Sequence, residues 1–244
     1  MIKYLHDTHF HLDLYNDMIP QIIDDIEMLA SYTIAVTNLP PLYKKLKKTI
    51  NSKYICVALG FHPELITEYK KYIPEMWRYL DNAKYIGEVG LDLKNKPEID
   101  RKNQIRFFEE LIHKCNSIGG KILSIHSRGS EEKVLSILGD SFNGKVILHW
   151  YSGSLKLLDD AIQKKCYFSV NYAMIQSPNG KKIINRIPDN KFLIESDAPF
   201  IKINNRIFNP SDVEIIIQEL AALKNMNIKD MKDILSKNFK YILV

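Results

Sequence analysis

Eight short apolar runs separated by amphipathic segments constrain this chain more than any other feature. They fall at Lys3–Asp7, Thr33–Thr37, Tyr54–Leu59, Lys84–Glu88, Lys121–Ile125, Lys145–His149, Cys166–Val170 and Lys191–Glu195. Most are rich in Ile, Val, Leu or Tyr, and each is short enough to be a parallel strand covered on both faces. Between them, Ile19, Ile22, Ile23, Ile26 and Leu29 keep the spacing of one helical face. Ile105, Phe108, Leu111, Ile112 and Cys115 do the same ahead of Gly119 and Gly120. Ser130, Ser154 and the Ser177–Pro178 pair mark further helix starts, and Ser211 with Glu214 predicts a capping box. No low-complexity linker interrupts the alternation. It predicts a single domain over residues 1–244, an α/β chain closed into a (β/α)8 TIM barrel. An open doubly wound sheet is the rival, disfavoured because reactive residues fall on too many strand ends for one crevice.

At 244 residues and 45% hydrophobic, the chain can bury a substantial core. No stretch approaches the ~20 continuous apolar residues of a membrane span. The start, "MIKYLHDTHFH", lacks a secretory pattern, so a cytoplasmic protein is expected. Cys56, Cys115 and Cys166 are far apart and outside any CxxC, which predicts buried thiols rather than disulfides or metal ligands. A net charge of +5 permits a polyanionic partner without requiring one. The basic run "YKKLKK" at 43–48 fits a solvated helix face opposite Leu42, Leu46 and Ile50.

In a barrel of this kind, chemistry sits at the C-terminal ends of the strands. The first run leads to His9 and His11, and the third to "GFHP" with His62. The fourth leads to "IGEVGLD" with Glu88 and Asp92, and the fifth to "SIHSR" with His126 and Arg128. "ILHWYSG" supplies His149 and "LIESDAPF" supplies Asp197. Two histidines two residues apart point to the same side of a strand. Alone, such a pair also fits an ordinary core or surface position; the carboxylates and imidazoles on the other strand exits favour a metal site. Imidazole with carboxylate and no thiolate suits magnesium, manganese or zinc. His6 has the opposite parity and is expected to be structural, and His113 to be a solvated helix residue.

These motifs, in this order, resemble the TatD family of metal-dependent deoxyribonucleases. The likeness rests on "DTHFHLD", "GFHP", "GEVGLD", "IHSR", "HWYSG" and "IESDAP", with "KNFKYIL" similar to the family's closing helix. The resemblance implies two divalent metal ions. His9, His11 and Asp197 would hold one, His126 and His149 the other, with Glu88 bridging. It further implies that His62 and Arg128 contact the substrate phosphate and that Asp92 orients a ligand. Trp150 and Tyr151 stand where the family usually carries Cys-Phe, and Leu93 where an aromatic residue is common. Neither change removes a ligand, so both bear on substrate fit. The stretch "YFSVNYAMIQSPNGKKII" is similar to a subgroup encoded in phage-defence loci, which implies antiviral defence and protein partners.

Two ions ~3.5–4 Å apart suit phosphodiester hydrolysis. Arg128 offers a bidentate contact to phosphoryl oxygens, and Asp197 a general base. The expected activity is therefore a deoxyribonuclease acting on DNA, single-stranded or at ends. An amidohydrolase or esterase for a small cyclic amide, lactone or aminoacyl ester is the alternative, and a non-catalytic barrel subunit of a defence complex is a second.

Overall fold

The computed structural model describes residues 5–203 and 205–243. In chain order the strands are β1 (His6–Phe10), β2 (Tyr32–Ala35), β3 (Ile55–Val57), β4 (Tyr85–Gly90) and β5 (Lys121–His126). They continue with β6 (Gly144–His149), β7 (Tyr167–Val170), β8 (Phe192–Ile194) and the short pair β9 (Lys202–Ile203) and β10 (Arg206–Ile207). The helices are α1 (Ile19–Leu29), α2 (Pro40–Thr49), α3 (Ile73–Leu80), α4 (Glu98–Ile118) and α5 (Glu131–Leu138). After them come α6 (Leu155–Gln163), α7 (Tyr172–Gln176), α8 (Pro178–Arg186), α9 (Val213–Leu223) and α10 (Ile228–Leu243). The eight expected strands are present. The first is displaced: Lys3 and Tyr4 of the expected run lie outside the described residues, and the strand occupies His6–Phe10. No helix among the described residues is long and apolar enough to cross a membrane.

The chain divides into two compact units. The first comprises the described residues up to Ala35, then Ile50–Cys56, then the described residues from Phe168 onward. In it β1 and β2 pair in parallel, with His6 opposite Tyr32 and Asp7 opposite Thr33, and the register slips before Phe10 meets Ala35. β7 and β8 pair in parallel from Phe168–Phe192 to Val170–Ile194. The buried set includes Phe10, Ile26, Phe168, Phe192, Leu220 and Ile242, each such side chain contributing ~1.5–3 kcal/mol on leaving water. His6 is buried and its ring stacks on Phe239 of α10 at 4.5 Å, in agreement with a structural role. Burial pushes its imidazole down to about 3. Asn238 fastens α10 below β8 by donating to the carbonyls of Asp189 and Phe192.

One expectation fails here. Ser211 and Glu214 form no capping box; the box belongs to Asn209 and Asp212 around the 3-10 turn Pro210–Asp212. Arg206 grips the Asp212 carboxylate with both terminal nitrogens, and that ion pair fixes the register of the turn. The Ser154 and Ser177 caps form as expected, on Leu157 and Gly180.

The second unit comprises Val36–Thr49 and Val57–Tyr167. β4, β5 and β6 run parallel, with Tyr85 opposite Ile122 and Lys121 opposite Gly144, while Leu59 pairs with Ile86. α4 presents Phe107, Phe108, Leu111 and Cys115 to the core and ends at Gly119, whose φ of 75° only glycine adopts cheaply. α2 buries Tyr43 and Leu46 and leaves Lys44, Lys45, Lys47 and Lys48 exposed, the solvated basic face the sequence predicts. The Lys121 ammonium is drawn inside, donating to the carbonyls of Leu80, Asp81 and Ala83 at 2.7, 2.9 and 2.8 Å. Three bonds saturate its donors and offset the cost of burial, which lowers its pKa. None of the three cysteines forms a disulfide.

Two glycines set the approach of the strands that carry polar residues. A β-carbon on Gly60 would lie 1.6 Å from the Thr37 carbonyl oxygen, and one on Gly90 would lie 2.0 Å from that of His126. Gly90 also has a φ of 138°. Side chains at either position would force apart the segments that end in His62, Asp92 and His126.

Candidate metal centre

In the first unit, His9 lies near the end of β1, His11 just beyond it, and Asp197 three residues beyond β8. All three are buried. His9 Nε2 and His11 Nε2 are 3.3 Å apart, and Asp197 Oδ1 is 3.8 and 3.6 Å from them. Three ligand atoms at these separations match the edges of a coordination shell, since ligands at ~2.1 Å in a tetrahedron lie about 3.4 Å apart. The donor set therefore fits a divalent ion.

Backbone bonds place these groups. Asp197 N donates to the His9 carbonyl at 3.0 Å and His11 N to that of Ala198 at 2.9 Å. Asp197 takes a φ of 48°, a left-handed conformation that aspartate tolerates better than most residues. The turn behind it closes through Phe200 N and Ile201 N, both donating to the Asp197 carbonyl. Asp7 ties the two segments together by accepting from His9 N at 3.1 Å, from Ser196 N at 3.0 Å and from the Ser196 hydroxyl. Burial pushes its carboxyl up to about 7 despite those bonds. Glu195 turns away to the end of β7, where the Ser169 hydroxyl and Asn171 Nδ2 donate to it.

The second unit gathers its donors around one carboxylate oxygen. Glu88 Oε1 lies 2.8 Å from His126 Nδ1, 2.9 Å from His149 Nε2 and 3.5 Å from His62 Nε2. His126 Nδ1 and His149 Nε2 are 3.4 Å apart. On its other side His126 Nε2 meets Asp92 Oδ2 at 3.1 Å. An Nε2–H donated to Asp92 leaves Nδ1 facing Glu88 as a lone pair, so a cation, either a proton or a metal ion, must sit between them. Burial alone would lower the His126 pKa, but the bonds to Asp92 and Glu88 outweigh it and the net direction is up. Burial likewise opposes ionisation of Asp92, and the His126 bond and charge, helped by Lys96 and Arg128, carry it below the usual carboxylate range.

Asp92 is itself held. Its N–H donates to Gln104 Oε1 at 2.9 Å, and the next amide, Leu93 N, donates to Ser130 Oγ at 2.9 Å. Ser130 spends its hydroxyl there and makes no side-chain cap on α5. Arg128 stands exposed on the turn after β5. His62 is half-buried and accepts from Glu64 N through Nδ1, leaving Nε2 for the cluster.

The sequence-derived residues thus fall into two sets. His9, His11 and Asp197 come together in one unit, and Glu88, His126 and His149 in the other with Asp92 beside them. His62, expected on substrate, converges with Glu88 and His126 as a third imidazole able to hold an ion. The supporting residues Asp7, Ser196 and Gln104 were missed. Asp7 sits in the same "HDTHFH" stretch, and an acidic residue two positions before His9 was the one available signal.

Imidazole–carboxylate clusters at the exits of parallel strands belong to metal-dependent hydrolases of the barrel class. The chain is a member of the TatD family: the family model described as TatD related DNase matches residues 6–243. It is 26% identical over 246 residues to an uncharacterized metal-dependent hydrolase of Methanocaldococcus jannaschii, covering 97% of this chain and 95% of that one. It is 21% identical over 172 residues to the deoxyribonuclease TATDN3 of Homo sapiens, covering 68% of this chain and 62% of that one. The solved structure of YjjV, a TatD homolog from Escherichia coli, superposes with a TM-score of 0.85 at 18% identity over 99% of this chain and 98% of that one. The fold is accordingly the α/β (β/α)8 type of the TatD hydrolases, and the chain is a metal-dependent hydrolase of that family.

Proposed function

We propose that this chain is a two-metal deoxyribonuclease, with residues 1–244 working as one catalytic domain. The observation that carries the reading is the convergence of His9, His11 and Asp197, and separately of Glu88, His126 and His149, at separations suited to ligands of divalent ions. His9, His11 and Asp197 would hold one ion, and Glu88, His126 and His149 the other. Bound divalent ions supply an acidified water and neutralise charge on phosphoryl oxygens. Asp197 takes the proton from the attacking water as general base. Asp92 fixes the His126 ring through Nε2, so that Nδ1 is the nitrogen presented to an ion. Arg128, exposed on the turn after β5, grips the non-bridging phosphate oxygens through its planar fork, with His62 beside them. The human relative named a deoxyribonuclease supports DNA as the substrate class.

The test is metal analysis with hydrolysis of end-labelled DNA oligonucleotides, run against a panel of lactones and cyclic amides. The expected result is close to two divalent ions per chain, DNA cleavage abolished by chelation and restored by manganese or magnesium. Full activity in excess chelator, or faster turnover of an uncharged lactone, overturns the reading.

A further inference from the structure

Every charged residue of α2 is a lysine. Lys44, Lys45, Lys47 and Lys48 are all exposed, and at ~3.6 residues per turn they fall on one side of the helix, opposite the buried Tyr43 and Leu46. None of their ammonium groups meets a carboxylate among the described residues. The long helix α4 of the same unit treats its lysines differently: Lys102 pairs with Glu98 at 2.6 Å and Lys114 with Glu110 at 3.7 Å, each one turn apart. The imbalance extends around α2. Residues 36–49 and 57–80 of the second unit hold seven lysines and arginines but three glutamates. Of those, Glu64 is taken by Lys96, and Glu75 accepts from the Tyr79 hydroxyl at 3.3 Å.

This face works against the helix that carries it. Lys44 lies one turn from Lys47 and Lys48, and Lys45 one turn from Lys48, so like charges repel. Lys47 and Lys48 suit the negative end of the helix dipole, whereas Lys44 and Lys45 stand mid-helix and gain nothing from it. A polyanion would relieve that repulsion. A lipid surface fits poorly, because the apolar side of α2 is spent in the core, where the Tyr43 and Tyr79 rings lie 5.7 Å apart. A nucleic acid fits by position as well as by charge. α2 begins two residues after Asn38, whose carbonyl accepts from His62 N at 2.9 Å. At ~1.5 Å rise per residue, the lysines stand about 6–12 Å along the helix from its start.

We infer that the lysine face of α2 is a second nucleic-acid-binding surface, which holds the phosphate backbone of a strand away from the bond being cleaved. The inference rests on the deoxyribonuclease reading above and adds a dependence on substrate length. Contacts to backbone phosphates carry no base information, so the surface confers affinity without sequence preference. It touches no reacting group, which predicts an effect on KM rather than on kcat.

The experiment compares wild type with a variant carrying Lys44→Gln, Lys45→Gln, Lys47→Gln and Lys48→Gln, and with one carrying arginine at the same four positions. Glutamine and arginine sustain a helix about as well as lysine, so circular dichroism should not change. Binding of a labelled DNA strand of about 30 nucleotides is read by fluorescence anisotropy in excess chelator, between about 50 and 200 mM salt. The glutamine variant should bind at least about tenfold more weakly, with the slope of log affinity against log salt reduced by about 3. The arginine variant should keep both. With manganese, the glutamine variant should show KM raised about tenfold for the long strand, unchanged for a dinucleotide, and kcat unchanged for both. Wild-type affinity and salt slope in the glutamine variant, or equal KM changes for strand and dinucleotide, would overturn the inference and leave the nuclease reading standing. So would tighter binding of wild type to polyglutamate or to phosphatidylserine vesicles than to the strand. Metal-loaded wild type that cleaves neither strand nor dinucleotide would overturn the nuclease reading, and the inference with it.

Discussion

Around His9, His11 and Asp197 the main chain does the positioning, whereas around Glu88 the side chains hold one another. In the first unit the His9 carbonyl accepts from Asp197 N, the Ala198 carbonyl from His11 N, and Asp7 binds two amides and a hydroxyl. In the second, one carboxylate oxygen faces three imidazoles, and His126 is caught between Glu88 and Asp92. A cluster built on peptide groups survives the exchange of one side chain with its remaining donors in place. A cluster built on mutual side-chain contacts does not, because each member is also its neighbour's support.

Glu88→Gln is the largest break in that comparison. It withdraws a charge from His126, His149 and His62 together, and should lower turnover by roughly 10³-fold with loss of bound metal in the second unit. Single-turnover cleavage with elemental analysis checks it; retention of full metal content and more than a tenth of the activity would show that the carboxylate is not the hub. Asp197→Asn comes next. Asparagine keeps the shape and one ligand oxygen but cannot take a proton, so turnover should fall by ~10²-fold with an unchanged circular dichroism spectrum. Equal metal loss in the two variants would erase the distinction between the clusters.

Asp92→Asn should cost about 10-fold in metal affinity, because the amide still reaches His126 but no longer favours its charged or metal-bound state. Isothermal titration with manganese tests this, and Gln104→Ala should reproduce part of the loss by loosening the Asp92 amide. An Asp92→Asn variant with wild-type affinity would leave Asp92 without an orienting role.

The smallest effect concerns stability of the metal-free protein. His6 is held at about 3 when folded, so its contribution is complete above its ordinary value of 6.5 and is lost as pH falls from there toward 3. Asp7, raised to about 7, has the opposite sign: its contribution is complete below 3.8 and is lost as pH rises through 7. Between pH 4 and 6.5 the two slopes oppose. His6→Phe should leave a melting temperature that falls as pH rises across that window, and Asp7→Asn one that falls as pH drops. Parallel pH profiles for both variants and wild type would refute the assignment.

The strands were legible because each buried run is apolar and short. β1 was misplaced for the converse reason. His6, Asp7 and Thr8 are polar yet buried, packed or hydrogen-bonded against Phe239, Ser196 and the Ile194 carbonyl, partners more than 180 residues away. The ligand candidates were legible because imidazoles cluster at strand exits and few other roles explain them there. Their supports were not, since Gln104 and Ser130 look like ordinary helix residues until the fold brings them to Asp92 and Leu93. The capping box at Ser211 matched a pattern that Asn209 and Asp212 satisfy instead, through the Asn209 amide donating to Asp212 Oδ2 and Ser211 N donating to Asn209 Oδ1.

The Lys121 ammonium has a consequence for where this chain can be opened. The link between α3 and β4 passes through exposed Asp81 and Asn82, and by surface position it invites a tag, a reporter domain or new chain ends. Its carbonyls are the ligands of that buried ammonium, so an insert there would strand a cation inside the second unit. The link between α5 and β6 offers exposed Asp140 and Ser141, with open space around Gly139. Two loops that look alike from outside therefore differ as grafting points, and the graft belongs at 140–141.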